Sequence, residues 1–314
     1  MKIEICGFYG FGNIGDEAIL QAIMQELGSS NEYIISTSLP YPYFENYKKT
    51  INKEIRLHED FRTDIDAYIL GGGGLGWGYG WRQCLSIFAK NVPCMNYGVG
   101  YYRGGKEYYS SKLHGLYYEF LKNFNIISVR DEHSQNFIKE INHNLSPVLT
   151  FDPAINLKEE RFDFPKNKIM VFPRYEDGIS NQLQLDWFVN ELKDVSHEVI
   201  LSACAPRNVE GYPVDLALCQ YLKDRLSGSE ILNVSGFEPG KIKYAVSQSR
   251  LIYSGGRYHP IVFAISHGIN FKIAPTAIND PKLPYLLDMY YKYGRDELIK
   301  LANKNKELFS ALGV

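Results

Sequence analysis

The sequence predicts an α/β protein in which one chain carries two parallel, doubly wound sheets. Three features lead to this expectation. Strand-like apolar runs alternate with amphipathic stretches from end to end. The glycine-rich segments fall where strands give way to helices. The alternation restarts after TFDPAINLKEERFDFPKNK, a Pro- and charge-rich stretch that reads as a linker.

In order, KIEICGF is a strand, DEAILQAIMQEL an amphipathic helix and NEYIISTS the next strand. DAYILGGGG and VPCMNYGVG are strands that end in glycine. SSKLHGLYYEFLKNF reads as helix, NIISVRD as strand and EHSQNFIKEI as helix. Beyond the linker, KIMVFPR opens a second series: NQLQLDWFVNELKD, HEVILSACAP, YPVDLALCQYLKDRL, EILNVSGF, EPGKIKYAVSQS, RLIYSGG, YHPIVFAISHG and NFKIAP, then a helical terminus. The expected domains are therefore 1–160 and 161–314, two Rossmann-like halves facing across a cleft, which is the GT-B type of architecture.

Composition narrows the function. At 314 residues with 45% apolar content, two ordinary cores are affordable. A net charge of −2 argues against a dedicated nucleic-acid binder. Five scattered cysteines (Cys6, Cys84, Cys94, Cys204 and Cys219) without CxxC spacing read as reduced core thiols, so a cytosolic protein is expected. The N-terminus runs straight into a strand, and no apolar run approaches the ~20 residues a membrane span needs.

Four stretches can carry chemistry. GFYGFGNIGDEAIL places Asn13, Asp16 and Glu17 at a strand-to-helix turn. Acidic residues favour a helix start in any case, but they also suit hydroxyl groups, because carboxylates accept hydrogen bonds and can take a proton. Gly10, Gly12 and Gly15 fit the GxGxxG dinucleotide spacing, a weak signal alone. The acidic residue expected after the second strand is missing, since NEYIISTS ends in Thr and Ser. A nicotinamide-dependent oxidoreductase therefore ranks last.

ILGGGGLGWGYGWRQ exposes the backbone at Gly73 and Gly74 and carries Trp77, Tyr79 and Trp81, aromatic faces suited to a sugar ring. NIISVRDEHS puts Arg130 at a strand's carboxyl end, where it either pairs with Asp131 or reaches an anion. RLIYSGGRYHPIVFAISHG is the most informative. Ser254, Gly255 and Gly256 end a strand, Arg257 and His259 follow, and Pro260 marks a helix start. Free amides, an arginine and a histidine together attract an anion and can move a proton. His267 reads as a charge partner for that helix's end. No HExxH, cleft-facing DxD or Cys/His cluster predicts a metal.

GFGNIGDEAIL, ILGGGG, ISVRDEHS with FDPA, and SGGRYHPIVFAISHGI occur in an order that resembles the polysaccharide pyruvyl transferase family, from residue 3 to about residue 290. The resemblance implies a GT-B-like transferase of bacterial cell-envelope biosynthesis, acting on capsule or exopolysaccharide sugars. It would move the pyruvyl group of phosphoenolpyruvate onto a sugar, close a cyclic ketal and release phosphate. It also implies donor binding and acid catalysis by Arg257 and His259, with Ser254, Gly255 and Gly256 beside them. Arg130 would make a second donor contact, and Lys282 or Lys272 would supply a lysine. Asn13, Asp16, Glu17, Gly73 and Gly74 form the expected acceptor side, with Asp16 preferred to Glu17 as base. No cofactor beyond the donor is implied. A polyprenyl-linked acceptor would bring the enzyme to the inner face of the membrane. The runner-up is a GT-B glycosyltransferase using a nucleotide sugar, for which only Asp280 and Asp288 offer ribose contacts. A sugar-binding module without activity leaves Arg257 and His259 unexplained.

Overall fold

The computed structural model describes residues 1–37, 53–57, 64–74, 92–102, 111–175, 179–205 and 214–313. Strand and helix alternate through them, and the chain divides into two compact units. The first comprises Met1–Gly10, Ile19–Asn156 and Tyr285–Val314; the second comprises Phe11–Ala18 and Leu157–Pro284.

In the first unit the described residues form a parallel seven-stranded sheet. Its strands are β1 (Lys2–Cys6), β2 (Glu32–Thr37), β3 (Glu54–Leu57), β4 (Ala67–Gly73), β5 (Cys94–Val99), β6 (Ile126–Val129) and β7 (Val148–Leu149). They lie in the order β3-β2-β1-β4-β5-β6-β7, that of a doubly wound Rossmann sheet. Such strands are covered on both faces and so read as continuous apolar runs. Accordingly, β4 and β5 are buried along their whole lengths. Helices α2 (Ser111–Leu121) and α3 (Glu132–Ile141) add Phe120, Leu121, Phe137 and Ile138 to a core with Tyr68, Leu70 and Val129. Burying each such side chain stabilises the fold by about 1.5–3 kcal/mol.

The second unit repeats the plan with five parallel strands among the described residues. These are β8 (Ile169–Phe172), β9 (Val199–Leu201), β10 (Glu230–Ile231), β11 (Leu251–Ser254) and β12 (Asn270–Ile273), in the order β10-β9-β8-β11-β12. Helices α4 (Ile179–Leu192) and α5 (Asp215–Lys223) pack Phe188, Leu192, Cys219 and Leu222 onto Val171, Leu201 and Tyr253. Next come α6 (Pro239–Ser247) and α7 (Tyr258–His267), the latter closed by His267, whose ring faces Glu159 at 3.3 Å.

Two segments depart from the expected division at residue 160. The helix α1 (Ile14–Leu27) starts within the second unit, where the Ile14 N–H donates to the Cys204 carbonyl at 2.8 Å. The terminal helix α8 (Leu283–Ser310), interrupted at Gly294, belongs to the first unit from Tyr285 onward. There the fully buried Asn305 accepts from the Ser128 hydroxyl at 2.6 Å and donates to the Phe151 carbonyl at 3.0 Å. A linear reading assumes contiguous domains; these bonds act across the sequence. Strands as short as β3 and β7 carry too few residues for a legible period.

Cys6, Cys94, Cys204 and Cys219 are buried free thiols; Cys84 lies outside the described residues. Among the described residues no helix is long and apolar enough to cross a membrane.

Candidate active site

The strand order of the second unit reverses between β8 and β11, and ligands of open parallel sheets approach the carboxyl ends at such a point. β8 runs on into Pro173 and Arg174, and β11 into Gly255, Gly256 and Arg257. The Gly255 N–H donates to the Phe172 carbonyl at 2.8 Å. Ser254 Oγ accepts the Gly256 N–H at 3.2 Å and donates to the Arg257 carbonyl at 3.0 Å. Gly256 has φ 111°, a value that favours glycine. The turn therefore consumes the amides of Gly255 and Gly256, which the sequence reading had offered to a ligand. What remains is the start of α7, whose N-cap residue, Arg257, makes no side-chain capping bond. The first-turn N–H groups there lack intrahelical partners.

Arg257 is held from behind. Its Nη2 donates to Asp215 Oδ1, and the Asp215 carboxylate is fully buried. That carboxylate also accepts the N–H of Tyr175 at 3.0 Å and of Ala205 at 2.9 Å. Burial works against the charge of Arg257, and Asp215 outweighs it, so the guanidinium stays above its ordinary pKa. The nearby Asp16 carboxylate adds to this. The buried Arg257 Nε makes no hydrogen bond among the described residues.

Arg174 and Gln184 stitch the two strand ends together. Gln184, fully buried, accepts the Arg174 N–H at 3.0 Å and donates to the carbonyls of Arg174 and Gly255, both at 3.2 Å. Arg174 Nη1 donates to the Gly256 carbonyl at 3.3 Å and pairs with Asp280. Asp280 also accepts the Lys282 N–H at 2.8 Å, which ties that lysine's backbone to the network. Its rival Lys272 is half-exposed and spends its ammonium on Glu191 at 2.7 Å.

The loop before α1 belongs to this unit. Asn13 donates to Asp16 at 2.6 Å and accepts the Gly15 N–H at 3.3 Å, so it caps the helix. Asp16 is half-buried, whereas Glu17 is only 1% exposed, which leaves Asp16 as the accessible carboxylate. A methyl group on Gly15 would stand 1.9 Å from His259 Nδ1. The structure thus brings Asn13, Asp16, Arg257 and His259 together, although the sequence reading had put the first pair on the opposite domain.

The first unit holds the other expected residues. Arg130 is 1% exposed; its Nη1 donates to Asp152 at 2.6 Å and its Nε to the Tyr102 hydroxyl at 2.8 Å. Its partner is Asp152 of the FDPA stretch. Asp131 instead caps α3 by accepting the Ser134 N–H at 2.7 Å. An arginine covered and neutralised in this way anchors structure, and the donor contact expected of it gains no support. Gly73 is buried in β4, where its carbonyl accepts the Gly100 N–H at 2.8 Å. Gly74 follows it, half-buried. Trp77, Tyr79 and Trp81 lie outside the described residues.

Sequence reasoning missed Arg174, Asp215 and Gln184. Arg174 had a signal, a cation just past a strand at the switch point; Asp215 and Gln184 had none. Among the described residues no group of three His, Cys, Asp or Glu side chains is gathered as a metal ligand set.

The sequence matches the family described as polysaccharide pyruvyl transferase over residues 13–271. No curated protein matches it significantly. Among solved structures, an MnaA–UDP complex from S. aureus superposes with a TM-score of 0.58 at 11% identity, covering 98% of this chain and 94% of that one. A UDP-GlcNAc 2-epimerase from Neisseria meningitidis gives 0.53 at 10% identity, with 99% of each chain covered. An alpha-glucosyltransferase in complex with UDP gives 0.52 at 9% identity, with 100% of each covered. At such identities the likeness concerns the fold alone, a GT-B-type fold with two Rossmann-like domains.

Proposed function

The chain belongs to the polysaccharide pyruvyl transferase family and is a transferase, and from that membership we propose that it moves the pyruvyl group of phosphoenolpyruvate onto a sugar as a cyclic ketal. The observation that carries this reading is the company kept at the start of α7. Arg257, His259 and Asp16 meet there at a helix N-terminus. Phosphoenolpyruvate brings a phosphate and a carboxylate to be met by such donors.

In this reading Arg257 and the first-turn amides of α7 bind the donor phosphate. His259, as imidazolium, gives a proton to C3 of the enol, and the C2 centre takes on oxocarbenium character. A sugar hydroxyl adds to C2 and yields its proton to Asp16. The C2–O bond to phosphate then breaks and inorganic phosphate leaves. A second hydroxyl of the same sugar closes on C2 and yields its proton to the His259 imidazole, completing the ketal and restoring the acid. Arginine and helix amides meet the donor's charge throughout, and the scheme uses no cofactor besides the donor. The acceptor is a sugar of a surface polysaccharide or of its polyprenyl-linked precursor. The enzyme would meet a lipid-linked acceptor at the inner membrane face.

The nucleotide-sugar alternative loses one of its two candidate ribose contacts. Asp280 is committed to Arg174 and to the Lys282 and Leu283 amides. The test is incubation with phosphoenolpyruvate and a panel of hexose and N-acetylhexosamine acceptors, free and lipid-linked. Phosphate release is followed together with the product mass. Release coupled to a pyruvate-ketal gain supports the reading. Turnover of UDP- or GDP-sugars with no release from phosphoenolpyruvate overturns it.

A further inference from the structure

Two arginines follow the adjacent strands β8 and β11, and only Arg257 has a part in the scheme above. Arg174 is built in a similar way. Each sends one terminal nitrogen to a buried carboxylate, Asp280 for Arg174 and Asp215 for Arg257. Arg174 reaches the residue just before Arg257, because its Nη1 donates to the Gly256 carbonyl at 3.3 Å. A Cβ on Gly256 would come within 3.2 Å of the same nitrogen. Gln184 fixes the Arg174 backbone on both its N–H and its carbonyl, and the Gly256 and Asp280 contacts hold its Nη1, which removes much of the entropy a free arginine side chain would lose on binding.

All the hydrogen bonds of this guanidinium use Nη1. Its Nε and Nη2 make none among the described residues, and the side chain keeps 28% of its surface exposed. That edge presents two parallel N–H donors, the arrangement that matches a carboxylate bidentately. The helix N-terminus and Arg257 at the start of α7 suit the more highly charged phosphate.

Building on the function proposed above, we propose that Arg174 binds the carboxylate of the three-carbon donor through its Nε–Nη2 edge, while Arg257 and the α7 start take the phosphate. The substrate is thereby read at both ends. A phosphate monoester without a carboxylate would lose one of its two anchors.

The experiment measures phosphoenolpyruvate and inorganic phosphate binding by calorimetry and by ³¹P line broadening, for the wild type, R174Q, D280N and the double variant R174Q/D280N. The double variant guards against misfolding, because no unpaired carboxylate is then left at position 280. Both variants carrying R174Q should weaken phosphoenolpyruvate binding by about ten- to a hundred-fold and leave inorganic phosphate binding at the wild-type level. D280N keeps the guanidinium and should bind phosphoenolpyruvate within a few-fold of wild type. Equal losses in R174Q and D280N would mean that the Arg174–Asp280 contact is structural only, and would overturn the proposal. So would wild-type affinity in the folded double variant, with the functional reading left standing. A wild-type protein that binds no phosphoenolpyruvate sinks that reading and this proposal together.

Discussion

His259 occupies the space that a side chain on Gly15 would need: a Cβ there would stand 1.9 Å from Nδ1 and 2.4 Å from Cε1. The first helical turn of the chain and the start of α7 are thus fitted to one another inside one compact unit. Gly15 is helical and not strained, so the requirement is steric and concerns the imidazole.

Gly15→Ala should separate stability from activity. Alanine is favoured over glycine in a helix by up to about 1 kcal/mol, so the fold should hold its melting temperature within a few degrees. The added methyl displaces the imidazole, and phosphate release from phosphoenolpyruvate plus acceptor should fall by about a hundred-fold or more, as expected for loss of a positioned acid. Full turnover in a well-folded Gly15→Ala protein would remove His259 from its role.

His259→Ala should abolish phosphate release with little change in stability, since the ring is half-buried. Arg257→Ala differs, because it leaves the Asp215 carboxylate buried without its cation. Breaking such a pair costs about 3 kcal/mol, and Asp215→Ala should cost a similar amount. In urea melts the double variant should lose less than the sum of the two, since both single changes break the same contact. Simple additivity would show that the pair is not a unit.

Arg130→Met should act on folding. It removes the cation facing Asp152, which is 0% exposed, and about 3–5 kcal/mol of stability should be lost. Protein that remains folded should bind phosphoenolpyruvate as the wild type does. A variant with an unchanged melt and lost donor affinity would restore Arg130 as a donor contact.

Lys243 supplies a pH test. Its ammonium is buried in α6 and donates to the Leu157 carbonyl at 2.8 Å; burial lowers its pKa from 10.5 to about 8, against a smaller opposing pull from Glu159. Between these two values the unfolded chain binds the proton and the native state does not, so stability from this group rises with pH across the window. The stability of the wild type relative to Lys243→Met should therefore improve as pH rises from about 8 to 10. A constant difference across that range would contradict the burial of this ammonium.

Much of this molecule could be read from local signals. EHSQNFIKEI, read as a helix, is α3 from end to end, with Asp131 as the cap its side chain suits. The Gly-Gly-Arg-x-His junction announced itself, because only a strand-to-helix turn uses that mixture of residue types. The ion-pair partner of Arg130 was not legible, for a physical reason. Adjacent Arg130 and Asp131 make an obvious pair on paper, yet successive side chains at a strand end point to opposite faces. The cation therefore found Asp152, beyond the following helix.

The sequence by itself determined the α/β class, the placement of most strands and helices, and the family, because periodicity, capping and glycine placement are properties of short windows. Tertiary structure alone decided which strand ends become neighbours. Once β8 lies beside β11, Arg174 meets Gly256 and Asp280, Asp215 meets Arg257, and the loop at Asn13–Asp16 joins the Arg257–His259 corner. Strand order follows from the packing of whole sheets and helices, and no local run of residues encodes it.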